Sequence, residues 1–183
     1  MKRTGVQRAA MIVVALACAA SARAQSAGSL PVAGYDAARD VPGAHEKPDP
    51  SLTYKVVFDI ARGASKPEEI NPGLEAIARY VNTLAKSGVP ADHQKIAVVF
   101  HQGSTDIVMN SDTFKSRYNG QDNPNIALIH ALKQAGVDFR VCGQALLGRK
   151  IDPKTVLPDI QVDLWALTTL VNLELRGYVR VGS

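Results

Sequence analysis

Lys95-Ile96-Ala97-Val98-Val99-Phe100, running into His101-Gln102-Gly103, is the stretch on which the fold turns. Its five apolar residues follow one another without alternation, the pattern of a short strand covered on both faces, as in a parallel sheet flanked by helices. Upstream, Tyr54-Lys55-Val56-Val57-Phe58-Asp59-Ile60 is a second such run, set between Pro50 and Gly63. Between the two, Asn71-Pro72 supplies an N-cap and a proline at the first helical position. Leu74, Ile77, Ala78, Val81, Leu84 and Ala85 then recur at helical spacing up to Gly88. Downstream, Ser104 to Gln121 is less regular and has room for a short helix around residues 111–118. Asn123-Pro124 repeats the cap device, and Ile126, Ala127, Ile129, Ala131, Leu132 and Ala135 carry a helix to Gly136. A third strand, Asp138-Phe139-Arg140-Val141-Cys142, leads into a helical turn or loop over 143–150. A fourth strand follows at Ile160–Asp163, then a helix through Leu164, Leu167, Leu170, Val171 and Leu175, and a terminal strand over 178–181. Strand and helix alternate throughout, so the expectation is a three-layer α/β/α sandwich with a mostly parallel sheet of about five strands. Right-handed crossovers place every strand exit on one edge, where open parallel sheets bind their ligands.

The chain has 183 residues, 46% hydrophobic and 21% charged, enough for one core. Residues 1–24 read as a secretory signal: Lys2, Arg3 and Arg8 precede or open an apolar run from Ala9 to Ala20, and Ala22-Arg23-Ala24 forms a small-x-small triplet, with cleavage before Gln25. That run is too short for a membrane span. An alternative uses Val14-Ala15-Leu16-Ala17-Cys18 as a loose lipoprotein box, anchoring the protein through Cys18. The whole chain carries 21 basic and 17 acidic residues, but the leader holds four basic residues and no acidic one, so the remainder is balanced. A nucleic-acid partner, which calls for clustered Lys and Arg on the folded domain, is therefore not expected. Residues 25–50 hold Pro31, Pro42, Pro48 and Pro50 with Gly28, Gly34 and Gly43 and no apolar periodicity, the composition of a linker or arm. The α/β domain is expected over 51–183.

Cleavage leaves Cys142 as the one thiol, in a compartment where cysteines usually pair or are absent. It ends a strand and precedes Gly143, so the backbone amides of the next turn are expected to be at hand for a thiolate. The competing view, an inert buried cysteine, has the weight of how often free cysteines are core residues. His101 ends the neighbouring strand in the same way and is a candidate base or hydrogen-bond donor to Cys142. Gln102, Gly143, Gln144 and Asp59, also at strand exits, are candidate ligand-binding residues. His45, His93 and His130 have no such placement and are read as surface or structural groups. No phosphate-binding loop, dinucleotide glycine motif, zinc-protease motif or nucleophile elbow is present, so ATP and nicotinamide chemistry have no footing and no cofactor is expected. A soft metal site of Cys142, His101 and Met109, suited to copper, would require those three to converge. It belongs to the alternative function, a non-catalytic small-ligand or copper-binding module at the strand-exit edge.

Phe139-Arg140-Val141-Cys142-Gly143-Gln144-Ala145-Leu146-Leu147-Gly148-Arg149-Lys150 resembles the cysteine loop of the DsrE/DsrF-like sulfur-relay family, whose members include TusD-like proteins. Lys95 to Gly103, Ala135-Gly136-Val137 and Leu173 to Val179 are also similar to that family's pattern, so the resemblance spans about Leu52 to Ser183. It implies that Cys142 takes up sulfane sulfur as a persulfide and passes it on, from a small sulfur donor or to the thiol of an acceptor protein. It also implies a homo-oligomer, a trimer or hexamer. Familiar relay members are cytoplasmic, whereas this leader points outward, so the expectation becomes a periplasmic sulfur carrier. A thiolate that attacks sulfane sulfur and is then attacked in turn needs no second cysteine. Hydrogen bonds from Gln144 and His101 to the terminal sulfur are this sequence's own suggestion rather than the family's.

Overall fold

The structure is a computed structural model that describes residues 29–182. The expected leader and the acylation alternative at Cys18 lie outside the described residues. Five strands form one parallel sheet in the order β4-β3-β2-β1-β5: β1 Tyr54–Ile60, β2 Gln94–Phe100, β3 Asp138–Cys142, β4 Ile160–Asp163 and β5 Val179–Gly182. The chain starts at β1, steps outward through β2 and β3 to β4, and then crosses back to place β5 on the far side of β1. The helices are α1 Pro72–Lys86, α2 Ser111–Arg117, α3 Ile126–Gln134, α4 Gly143–Gly148 and α5 Ala166–Leu175. The expected α/β sandwich is present, with unequal outer layers.

The larger core lies on one sheet face, where Val56, Val98, Phe100, Phe139 and Val141 meet α1 and α3 through Leu74, Ile77, Val81, Ile129 and Leu132. Phe100 and Phe139 stack with centroids 5.8 Å apart at its centre. The opposite face carries small side chains, Val57, Ala97, Val99 and Cys142, covered by Ala166, Leu170 and Leu173 of α5. Short residues on these strands let α5 lie close to the sheet, and they bring the thiol under its N-terminus.

Asn71 caps α1 as expected, its side chain accepting from the Gly73 N–H at 2.9 Å. Asn123 does not cap α3. It is buried and donates to the carbonyls of Ile107 and Met109, both at 2.8 Å, while α3 begins at Ile126. Asn123 Oδ1 meanwhile accepts from the Asn125 N–H at 3.0 Å, the same two-residue turn that Asn71 makes, but here the helix starts two residues later, with Asn125 at its N-cap position. The proline-rich lead-in is seated on its own chain. Val32 is fully buried, and Asn82 of α1 accepts from its N–H at 2.9 Å and donates to its carbonyl at 2.8 Å. From residue 29 the segment is thus an arm clamped to α1 rather than a free tether, an outcome set by Asn82, some fifty residues away.

Candidate functional site

Sheet register builds the site. Phe100 of β2 lies opposite Val141 of β3, and both face the large core. The next residues along, His101 and Cys142, therefore leave their strands side by side toward the α5 face. Cys142 in turn lies opposite Asp163 of β4, and Asp59 of β1 lies opposite Val99. Beyond the strands, the exits of β1 and β2 remain in contact. His101 N–H donates to the Ile60 carbonyl at 3.2 Å, and the Ser104 hydroxyl donates to the same oxygen at 2.5 Å. A Cβ on Gly63 would fall 2.7 Å from the Gly103 carbonyl oxygen, so glycine is needed where these two backbones meet.

Cys142 is 4% exposed, and its Sγ accepts a hydrogen bond from the Ala166 N–H at 3.2 Å. Ala166 is the first residue of α5, so the sulfur faces the positive end of that helix. The donor expected from the turn after Cys142 is not used; it comes from a helix 24 residues further on. Gly143 serves packing: a Cβ there would sit 2.8 Å from the Asp163 carbonyl oxygen. Thr169 and Arg140 hold the Asp163 carboxylate, at 2.8 and 3.3 Å, and so fix α5 to the ends of β3 and β4.

His101 is oriented by Asp59, whose Oδ1 lies 2.5 Å from Nε2. Asp59 also accepts from Nε of Arg180 at 3.0 Å and from its Nη2. With Nε2–H assigned as donor to the carboxylate, Nδ1 is the ring's acceptor, and the capping box at the start of the following turn directs the Ser104 N–H toward it. The result is a thiol and an imidazole at adjacent strand ends, with a carboxylate behind the ring.

A cavity of about 490 Å³ opens over these groups. Cys142, His101, Gln102, Gln144 and Arg149 line it with Arg180, while Trp165, Ala166, Leu167 and Leu170 form its apolar wall. Four of the six sequence candidates, Cys142, His101, Gln102 and Gln144, are therefore together. Asp59 stands behind His101, and Gly143 supports the α4 turn. Gln102 holds φ at 51°, a left-handed conformation uncommon for a side chain of its size, on the cavity rim.

Sequence reasoning missed Arg180, Trp165 and the cluster around Asp106. Arg149 Nε donates to Asp106 Oδ1 at 2.9 Å, its Nη2 and the Tyr118 hydroxyl reach Oδ2, and Arg117 lies 3.7 Å away. Burial works to raise the Asp106 carboxyl, but these hydrogen bonds and the arginine charges outweigh it and hold the carboxyl below its ordinary value. Burial, then the hydrogen bond to Asp106, pushes the Tyr118 hydroxyl up. This cluster borders a second cavity of about 280 Å³, and Arg149 lines both.

The proposed soft-metal trio does not converge. Met109 is fully buried in the large core, across the sheet from Cys142. Among the described residues no group of three or more His, Cys, Asp and Glu is placed to hold a metal ion. His130 pairs with Asp159 and His93 approaches the Pro50 carbonyl at 3.2 Å, both away from the cavity. No helix among the described residues is long and apolar enough to cross a membrane.

No curated protein matches the chain. Among solved structures, a protein of unknown function from Methanobacterium thermoautotrophicum is similar, with a TM-score of 0.52 and 18% identity, over 71% of this chain and 99% of that one. At that identity the likeness concerns the fold. The family profile described as DsrE/DsrF-like matches residues 55–180, from the first core strand to the last, and includes both strand exits that carry Cys142 and His101. The chain belongs to the DsrE/DsrF-like family.

Proposed function

We propose that the protein is a periplasmic sulfur carrier that takes sulfane sulfur onto Cys142 as a persulfide and passes it to an acceptor thiol, without an organic cofactor. The observation that carries this reading is the placement of Cys142 at the floor of a cavity it shares with His101, with the Ala166 N–H directed at its sulfur. Membership in the family supports the sulfur-relay role.

The residues suit each step. His101, which lines the same cavity and whose ring Asp59 holds, is the base that takes the Cys142 proton. The thiolate attacks the outer sulfur of the donor, a sulfur–sulfur bond forms as the donor's own breaks, and the leaving thiolate recovers the proton from the imidazolium. No electrons are gained or lost overall. The Ala166 N–H and the α5 terminus favour negative charge on sulfur as it develops. Discharge reverses the roles, with an incoming thiolate attacking the terminal sulfur.

The periplasmic setting rests on the leader at 1–24, with acylation at Cys18 as its rival. Intact-mass analysis of secreted material distinguishes them by whether the chain starts at Gln25 or at a lipidated Cys18. A homo-oligomer, trimer or hexamer, fits the exposed apolar side chains of α5, Leu167, Val171 and Leu175, since a helix apolar on both sides is ordinarily covered on both. Incubation with polysulfide tests the central step. One sulfur added to the wild type and none to Cys142→Ser supports it; no adduct on either refutes it.

A further inference from the structure

The cavity is much larger than the sulfur it is proposed to receive. A volume of about 490 Å³ exceeds by more than tenfold the roughly 30 Å³ that one water occupies in the liquid, so a single sulfur, or an inorganic donor of a few atoms, fills a small part of it. Its extent across the sheet is similarly large. Cys142 ends β3 and Arg180 lies on β5, three strand spacings away, roughly 14 Å.

Its charge has one sign. The ionisable groups that line it, apart from the thiol, are Arg149, Arg180 and His101; no carboxylate does. The acids that pair with them are Asp106 and Asp59, only 6% and 8% exposed and set behind the guanidiniums, and Glu174 of α5, half-exposed outside the lining and 3.7 Å from Arg180 Nη1. The two arginine side chains remain 35% and 43% exposed, and both line the cavity. Trp165 and Leu170 supply an apolar wall.

We propose that the sulfane donor is a low-molecular-weight organic persulfide bearing carboxylates, held by Arg149 and Arg180 with its carbon skeleton against Trp165 and Leu170. This rests on the reading of Cys142 as a sulfane acceptor. The Cys142 thiolate attacks the outer sulfur of R–S–SH, giving Cys142–S–SH and RS⁻. One sulfur–sulfur bond forms and one breaks, the transferred sulfur keeps its oxidation state, and RS⁻ takes the proton that His101 removed from the thiol. No external oxidant enters.

The test compares three donors on the full mature chain: glutathione persulfide, its carboxyl diester, and inorganic polysulfide, with the one-sulfur adduct on Cys142 followed by intact mass against time. The expected result is loading at least tenfold faster by glutathione persulfide than by the diester, with the advantage shrinking as salt is raised. Gln144, exposed on α4 and lining the cavity, gives variants that leave the core untouched. Gln144→Glu should reduce the advantage and Gln144→Lys increase it. Equal or faster loading by the diester, together with efficient loading by polysulfide, would overturn the donor class and leave the carrier reading standing. No adduct from any of the three would overturn both.

Discussion

Cys142 can be tested separately from its neighbours. His101→Ala should slow persulfide formation by roughly a hundredfold, within the usual range for removing a positioned acid–base group, and flatten its pH profile. Asp59→Asn should cost about tenfold and alter the same profile, because the ring loses the acceptor that sets its tautomer; loss of rate with the wild-type pH profile retained would make Asp59 merely structural. Stopped kinetics with mass detection reads both. Since the thiol is 4% exposed at the floor of a cavity, small alkylating agents should modify it in the native state and bulky maleimides should do so only in denaturant. Equal rates for large and small reagents would place the sulfur elsewhere. Gly143→Ala forces a Cβ to within 2.8 Å of a backbone oxygen of Asp163 and should destabilise by about 1–3 kcal/mol in denaturant titration. The importance of Cys142 was visible from its being the one cysteine in residues 25–183, whereas its hydrogen-bond donor was not: Ala166 offers a backbone N–H, which has no residue-type signature.

Among the elements, β1 and β2 were legible because Val56-Val57-Phe58 and Ile96 to Phe100 are apolar runs with one good explanation in an alternating chain, β3 because Phe139, Val141 and Cys142 follow the glycine stop of the preceding helix, and α1 because Asn71, Pro72 and Gly88 mark its ends. The second cap signal located the start of α3 only to within two residues: Asn123 Oδ1 accepts from the Asn125 N–H, Asn125 takes the N-cap position, and Asn123 Nδ2 ties the turn to the carbonyls of Ile107 and Met109. Long-range charge pairs were beyond sequence reasoning: Asp106 meets Arg149 after 43 residues and Asp59 meets Arg180 after 121. The first of these joins the segment after β2 to the end of α4 and has a pH signature. Because the folded Asp106 carboxyl titrates below its unfolded value, its contribution is complete above about pH 4 and disappears as pH falls through the folded value. Asp106→Asn should lower stability at neutral pH by about 1–2 kcal/mol, tempered because the partner guanidiniums can rehydrate, and should flatten the acid limb of the stability curve. An unchanged acid limb in the variant would show that another carboxylate governs it.

At the scale of the molecule, the unequal layers connect fold to assembly. One face is closed by α1 and α3, while the other is covered by α5, which buries Ala166, Leu170 and Leu173 against the sheet and leaves Leu167, Val171 and Leu175 at 51%, 44% and 81% exposure. Light scattering of the mature chain should give the mass of a trimer or hexamer, and Val171→Glu with Leu175→Glu should reduce it to a monomer that keeps its helical content. A wild-type monomer at micromolar concentration would contradict the assembly. The chain's return from β4 to β5 also places Asp59, His101 and Arg180 where strand order reverses, the position at which open parallel sheets gather their ligand sites. All of this bears on one claim, that Cys142 accepts sulfane sulfur. The most direct measurement is intact-mass spectrometry of the mature protein and of Cys142→Ser after exposure to polysulfide and removal of excess reagent. An added mass of one sulfur, removable by a reducing thiol and confined to the wild type, is expected; an unmodified wild type, with its thiol also inert to small alkylating agents in the native state, would contradict sulfane acceptance by Cys142.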